Sequence, residues 1–285
     1  MRRNQRGIAL ITVLLVMSLA LLITAGMLRS HRLALNSSAQ QIHQLQLRTL
    51  AFAGETWARE HLRTLIRDPM VAVASGQAWA SSQPQLRIDD GQIDVVIEDL
   101  AGRFNISPLL AKGPASDVME QRWMRLQTLL ELTPLDASVL QGQSLSDISQ
   151  LRVLPGVDSQ WYMRMQPWIV LLGKDAVLNI NTAPATLLAT LEGVTPELAR
   201  ALVTTRPLQG YASVQDFTFT PALIGLGVQA AGLGISSRWF RITTDVRLGQ
   251  SRLRLESDVV RDPHTGVWHL LQRRLLAPRH REPFV

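Results

Sequence analysis

The residues best equipped for chemistry are spread too thinly to perform it. The chain has six histidines, His31, His43, His61, His264, His269 and His280. None of them forms the H-E-x-x-H pair that sets two imidazoles on one helical face around zinc. Cysteine is absent, which removes disulfides and thiolate metal sites but leaves the compartment open, since an exported protein can lack cysteines. There is no glycine-rich phosphate loop with a following lysine and no G-x-S-x-G elbow. The seven tryptophans are scattered as core or interface anchors would be. These residues argue against an enzyme. One bond stands out instead as a reactant, the Gly7–Ile8 peptide, which joins a basic leader to an apolar run.

That junction belongs to a single long element. Met1 to Gly7 carry Arg2, Arg3 and Arg6, and from Ile8 to Leu28 no charged residue occurs until Arg29. About 20 apolar residues, rising ~1.5 Å each, are enough to cross a ~30 Å hydrocarbon core as a helix. Arginines on the leading side predict a cytoplasmic N-terminus and export of the remainder. An ordinary secretory signal would close on a small-x-small cleavage site and a polar mature start. Ala20 and Gly26 lie inside the run, but a long helical pattern follows them. Cleavage after Gly7 would strip the positive leader and leave the span as the new N-terminus. This arrangement resembles the class III signal of type IV pilins and type II secretion pseudopilins. The plainer alternative is an uncleaved signal anchor.

Charge adds little beyond topology. The net charge of +6 and pI near 10.8 could point to nucleic acid, yet the three leader arginines account for half of it. Lysine occurs only at Lys112 and Lys174. A hydrophobic content of 46% places the rest among chains that build real cores.

Beyond the span the helical pattern continues to Arg67, with Leu35, Ala39, Ile42, Leu50, Ala53 and Trp57 as its predicted packing stripe and Gln46 interrupting it. Asp68-Pro69 stops it. Leu86–Ile88 and Ile93–Ile97 flank Asp89-Asp90-Gly91-Gln92, a hairpin signal. Trp239–Val246, Arg252–Val260 and Val267–Leu276, separated by Gly249-Gln250 and Asp262–Gly266, predict an antiparallel meander. The stretch between the two β regions reads as helical. The expected organisation is therefore α+β: a leader over 1–7, a transmembrane segment over 8–28, and a pilin-like helix with the first β region over 29–105. An inserted all-α domain over 106–235 splits the sheet, and 236–285 complete the head.

Two segments of the insertion look like helix-hairpin-helix units. One runs from Leu151 through Pro155-Gly156-Val157 into a helix ending near Trp168; the other spans Leu187–Val194 and Thr195–Leu202. Before the second, Thr182 is the expected cap of a helix with Pro184 in its first turn. Such hairpins can hold phosphates on backbone N–H groups. Competent versions usually carry a second glycine two residues after the first, where this chain has Asp158 and Thr195. A carboxylate repels phosphate and a side chain obstructs the close approach. Packing of helices is the expected role, with a membrane-anchored DNA-binding protein as the alternative.

Together these features resemble the minor pseudopilin K family of type II secretion systems (general secretion pathway protein K). The match is carried by Arg6–Leu15, by Asp99-Leu100-Ala101-Gly102-Arg103-Phe104-Asn105-Ile106, by Leu178-Asn179-Ile180-Asn181-Thr182-Ala183, and by Trp239–Ile242 through Val259–Asp262. The resemblance implies cleavage between Gly7 and Ile8 by the prepilin peptidase and N-methylation at Ile8. Thr12 then occupies mature position five, where most pseudopilins place a glutamate thought to pair with a neighbour's N-terminal amine. A carboxylate in lipid is costly unless paired, so its absence suits a subunit at the filament tip, initiating assembly. The implied partners are the minor pseudopilins I and J, with H, the major pseudopilin G, the peptidase and the inner membrane; the head would lie in the periplasm, and no nucleic acid is expected. A minor pilin of a type IV pilus is a further alternative. Calcium occurs in the family, but residues 132–151 hold only Asp136 and Asp147 as carboxylates, too few for its oxygen shell. Asp117, Glu120 and Asp158 are the other candidates, and no cofactor is expected.

Overall fold

A computed structural model describes residues 5–66, 71–81, 85–88, 91–111 and 117–277. Helix α1 (Gln5–Leu65) contains the whole uncharged run. Residues 1–50 and 51–285 form two compact units. The predicted stop at Asp68-Pro69 and the turn residues Asp89 and Asp90 lie outside the described residues.

In the second unit a short helix α2 (Ala78–Ser81) precedes strands β1 (Gln85–Ile88) and β2 (Gly91–Asp99). The next strand of the same sheet, β7 (Trp239–Leu248), comes only after the insertion. It is followed by β8 (Ser251–Arg261) and β9 (Trp268–Leu276). The sheet order is β1-β2-β7-β8-β9, antiparallel throughout, with Asp99 opposite Phe240 and Leu248 opposite Ser251. The insertion therefore leaves and re-enters between two hydrogen-bonded neighbours. Alternation explains the sheet: Ile93, Val95 and Ile97 of β2 are buried on one face, with more exposed residues between them.

The C-terminal part of α1 packs on this sheet through a face different from the predicted stripe. Ala51, Gly54, Glu55, Ala58 and Leu62 are buried, whereas Leu35 and Ile42 are exposed. These buried positions recur at helical spacing, but one of them is an acid, so a search for apolar residues settles on the wrong face. Gly54 is required there. A Cβ at that position would lie 2.6 Å from the Thr244 Cγ2 atom of β7.

The insertion begins with β3 (Phe104–Asn105) and α3 (Asp117–Leu129). A 3-10 segment, Ile148–Val153, leads to α4 (Ser159–Met165) and β4 (Ile169–Val170). Then come β5 (Leu178–Asn179), α5 (Ala185–Leu188), α6 (Pro196–Thr204), α7 (Val214–Thr218) and β6 (Leu233–Gly234). Besides its helices it thus carries two short parallel pairs, β3 with β4 and β5 with β6; two-residue strands leave no periodic pattern in a sequence. Its core is apolar: Trp123, Leu126, Leu140, Leu151, Met165, Ile180 and Leu187 are fully buried. Each buried leucine contributes about 1.5–3 kcal/mol relative to an exposed one.

Candidate functional site

Gly7 and Ile8 fall in the first turn of α1, and Thr12 follows one turn later, on an exposed stretch of helix. Leu10, Ile11, Val13, Leu14, Leu15, Val16 and Met17 are each more than half exposed. An 18-residue window of this helix reaches a mean hydropathy of 2.5, and the helix is long and apolar enough to cross a membrane. Its internal hydroxyls fit that role. Ser18 donates to the Leu15 carbonyl at 2.9 Å and Thr24 to that of Ala20 at 2.7 Å, so neither is left without a partner in lipid.

A separate candidate region, in the second unit, is the mounting of the insertion. Asp99 ends β2 and is buried. Its carboxylate accepts from the backbone N–H of Ala101 at 2.9 Å, from Asn179 Nδ2 at 2.8 Å and from the Thr182 hydroxyl at 2.6 Å. Asn179 also donates to the Val73 carbonyl, and its Oδ1 accepts from Asn181 N–H. Asn181 in turn bonds Tyr211 through both ends of its amide, at 2.7 and 3.0 Å. Just inside the insertion, Asn105 donates to the carbonyls of Gly173 and Ala176 and accepts from the N–H groups of Ser107 and Leu172. Two of the four motifs that carry the resemblance therefore meet in one buried polar cluster, through Asp99 of the first and Asn179 and Thr182 of the second. Thr182, predicted as a helix cap, gives its hydroxyl to Asp99 instead, and Pro184 caps α5 without a side-chain bond. Burial pushes the Asp99 carboxyl up despite the hydrogen bonds from Ser237, Thr182, Asn179 and Ala101, because no cation is among its partners.

Glu55, buried on α1, is the opposite case. It receives both arms of Arg273 at 2.7 and 2.8 Å and the Ser257 hydroxyl at 2.7 Å. Burial opposes its ionisation, but hydrogen bonds from Arg273 and Ser257, with the charge of Arg59, outweigh it and hold the carboxyl below its ordinary value. Across the sheet, Arg241 binds Asp258 at 2.7 Å, Arg274 binds the same carboxylate at 2.8 Å, and Arg274 reaches Asp147 of the insertion at 3.2 Å.

The two hairpin-like segments are closed on themselves. The first starts with 3-10 geometry, and the Asp158 carboxylate accepts from Trp161 N–H at 2.7 Å, filling the N-terminus of α4. In the second, Thr195 caps α6 with Glu197 in its first turn. Gly193 sits at φ +70° against Leu226, where a Cβ would be 3.0 Å from that side chain. Glu192 beside it is buried in a pair with Arg122, both arms at 3.2 Å, and accepts from Gln229 N–H. At both segments the helix N-terminus is thus capped by a side chain of the chain itself.

Three of the five acids considered for calcium, Asp136, Asp147 and Asp158, accept hydrogen bonds from the chain's own N–H groups. Asp136 caps Ser138, and Asp147 caps Ser149 while holding Arg274 and Gln272. Burial raises the Asp147 carboxyl, but its bonds to Ser149 and Gln272 and the Arg274 charge outweigh this and depress it. Among the described residues no three His, Cys, Asp or Glu side chains converge.

A long apolar helix consistent with a membrane anchor, followed by an antiparallel sheet interrupted by an insertion, defines a pilin-like architecture. A family model described as type II secretion system protein K matches residues 178–236. The type II secretion system protein K of Pseudomonas aeruginosa is 31% identical, over 92% of this chain and 90% of its own length. That of Klebsiella pneumoniae is 28% identical over 96% and 97%. The chain belongs to the type II secretion system protein K family, the minor pseudopilins K. The fold is also that of a solved chain in the GspK-GspI-GspJ complex of enterotoxigenic Escherichia coli, with a TM-score of 0.70 and 22% identity, over 85% of this chain and 99% of that one.

Proposed function

We propose that this protein caps the tip of the type II secretion pseudopilus and initiates its assembly in a complex with subunits I and J. Subunits H and G join below, and the head lies in the periplasm, so its role is structural and not enzymatic. The prepilin peptidase cuts between Gly7 and Ile8 and methylates the Ile8 amine. That amine accepts the glutamate of the subunit behind, while Thr12 offers nothing to a subunit ahead. The observation that carries this reading is the mounting of the insertion. A body that blocks further growth must be held rigidly, and here Asn179 and Thr182 bind the buried Asp99 at the end of β2, while Asn181 and Asn105 brace the insertion internally. No metal is required, since Arg274 supplies the cation at Asp147.

Substituting Gly7→Val tests the processing step. The variant should accumulate as a larger membrane-bound species that fails to support secretion. Normal-sized mature protein from that variant would refute cleavage at this bond.

A further inference from the structure

The first acidic residue of the chain is Glu55. Before it the stalk carries only cations, and two of them, Arg29 and Arg32, stand immediately past the uncharged run. Three residues apart on a continuous helix, they project from one face. Both are exposed, and among the described residues neither has an acidic partner. Their position runs against the usual charge bias, which concentrates Arg and Lys on the cytoplasmic side. Once the leader arginines are removed, the only side-chain cations flanking the span are on its outer side. At the end of a membrane-length run, that places two guanidinium groups at headgroup depth, where planar, bidentate binding of phosphate is available to them.

We propose that Arg29 and Arg32 form a binding site for the phosphate of an anionic phospholipid in the outer leaflet of the inner membrane. This rests on the export orientation given under Proposed function. Lipid is favoured over an acidic protein surface because the pair begins where the apolar run ends, and the polar helix beyond it, from Asn36 to Gln46, carries no Arg, Lys, Asp or Glu. Such a contact holds the processed anchor at a fixed depth until the subunit is drawn into the filament.

The absence of cysteine makes the test direct. A Ser30→Cys variant of the full chain is labelled with a fluorophore and reconstituted in vesicles containing brominated phosphatidylglycerol or brominated phosphatidylcholine at equal mole fraction. Quenching should favour phosphatidylglycerol, up to about 30-fold for two cations at an anionic surface, and the preference should shrink in 0.5 M salt. It should fall to near parity in the Arg29→Gln/Arg32→Gln variant, while inorganic phosphate at 50 mM should lower it no more than chloride at equal ionic strength. Equal quenching by both lipids in the parent overturns the proposal, as does a preference that persists in the double variant. A preference abolished by inorganic phosphate would make the site one for free anions. Loss of subunit I and J co-purification in the double variant, with no lipid preference in the parent, would assign the cations to protein contact. Orientation is read separately, by labelling Ser30→Cys in spheroplasts with an impermeant maleimide. Protection there overturns the export reading and leaves the lipid result standing.

Discussion

The two parts of α1 solve the same problem in opposite ways. Near its C-terminal end an acid, Glu55, lies in a buried face and is held by Arg273 and Ser257 of its own chain. Near its N-terminal end, in surroundings meant for lipid, position 12 is a threonine, and the next cation along the chain is Arg29. A carboxylate in an apolar setting needs a paired cation or, as at Asp99, several hydrogen-bond donors of its own protein. Glu55 finds a cation within the molecule; an acid at position 12 would have to borrow one from another subunit. An acid in the stalk thus announces a neighbour, and its absence fits a subunit with none ahead of it.

The sharpest way to break this comparison is to strip the cation from the paired acid. Arg273→Ala should destabilise the head by about 1.5–3 kcal/mol, because the buried Glu55 then keeps only the Ser257 hydroxyl and the more distant Arg59, read as a lower urea midpoint for the full chain in detergent. A loss under 1 kcal/mol would mean the Glu55 contact is superficial. Replacing both partners, Glu55→Leu with Arg273→Met, should recover much of that loss.

A smaller effect separates Glu55 from Asp99. The folded-state value of Glu55 is lowered, so its contribution is present above its unfolded value and lost as pH falls through the folded one. Asp99 is raised, so its charge costs stability at neutral pH, and that cost is relieved as pH falls through its folded value. Acidification should first raise the urea midpoint and then lower it. Asp99→Asn should remove the initial rise, while setting its amide against Asn179 Nδ2 at a cost of about 1–3 kcal/mol. A midpoint that only falls with acid in the parent would contradict the assignment. The smallest expected effect is none: EDTA should leave the thermal midpoint unchanged, and a clear drop would reveal a metal contribution.

Much of this was legible in the sequence because it rests on local rules. The Gly249-Gln250 and Asp262–Gly266 turns fall between the strands where turn chemistry puts them, and the sheet is interrupted where the β patterns part. The buried face of α1 was not legible, since Glu55 breaks the apolar period that would mark it. Nor was the use of Thr182, whose partner Asp99 is remote in sequence and near only after folding. Of the site itself, Gly7, Ile8 and Thr12 are read from residue order, while the Asp99 cluster was visible only as motifs without a stated purpose.

The most direct measurement is the position of this subunit on isolated pseudopili, marked by a gold-labelled tag on the head. The account predicts one particle at one end of each filament, and a weaker end preference for Thr12→Glu. Labels spaced regularly along the filament would contradict it.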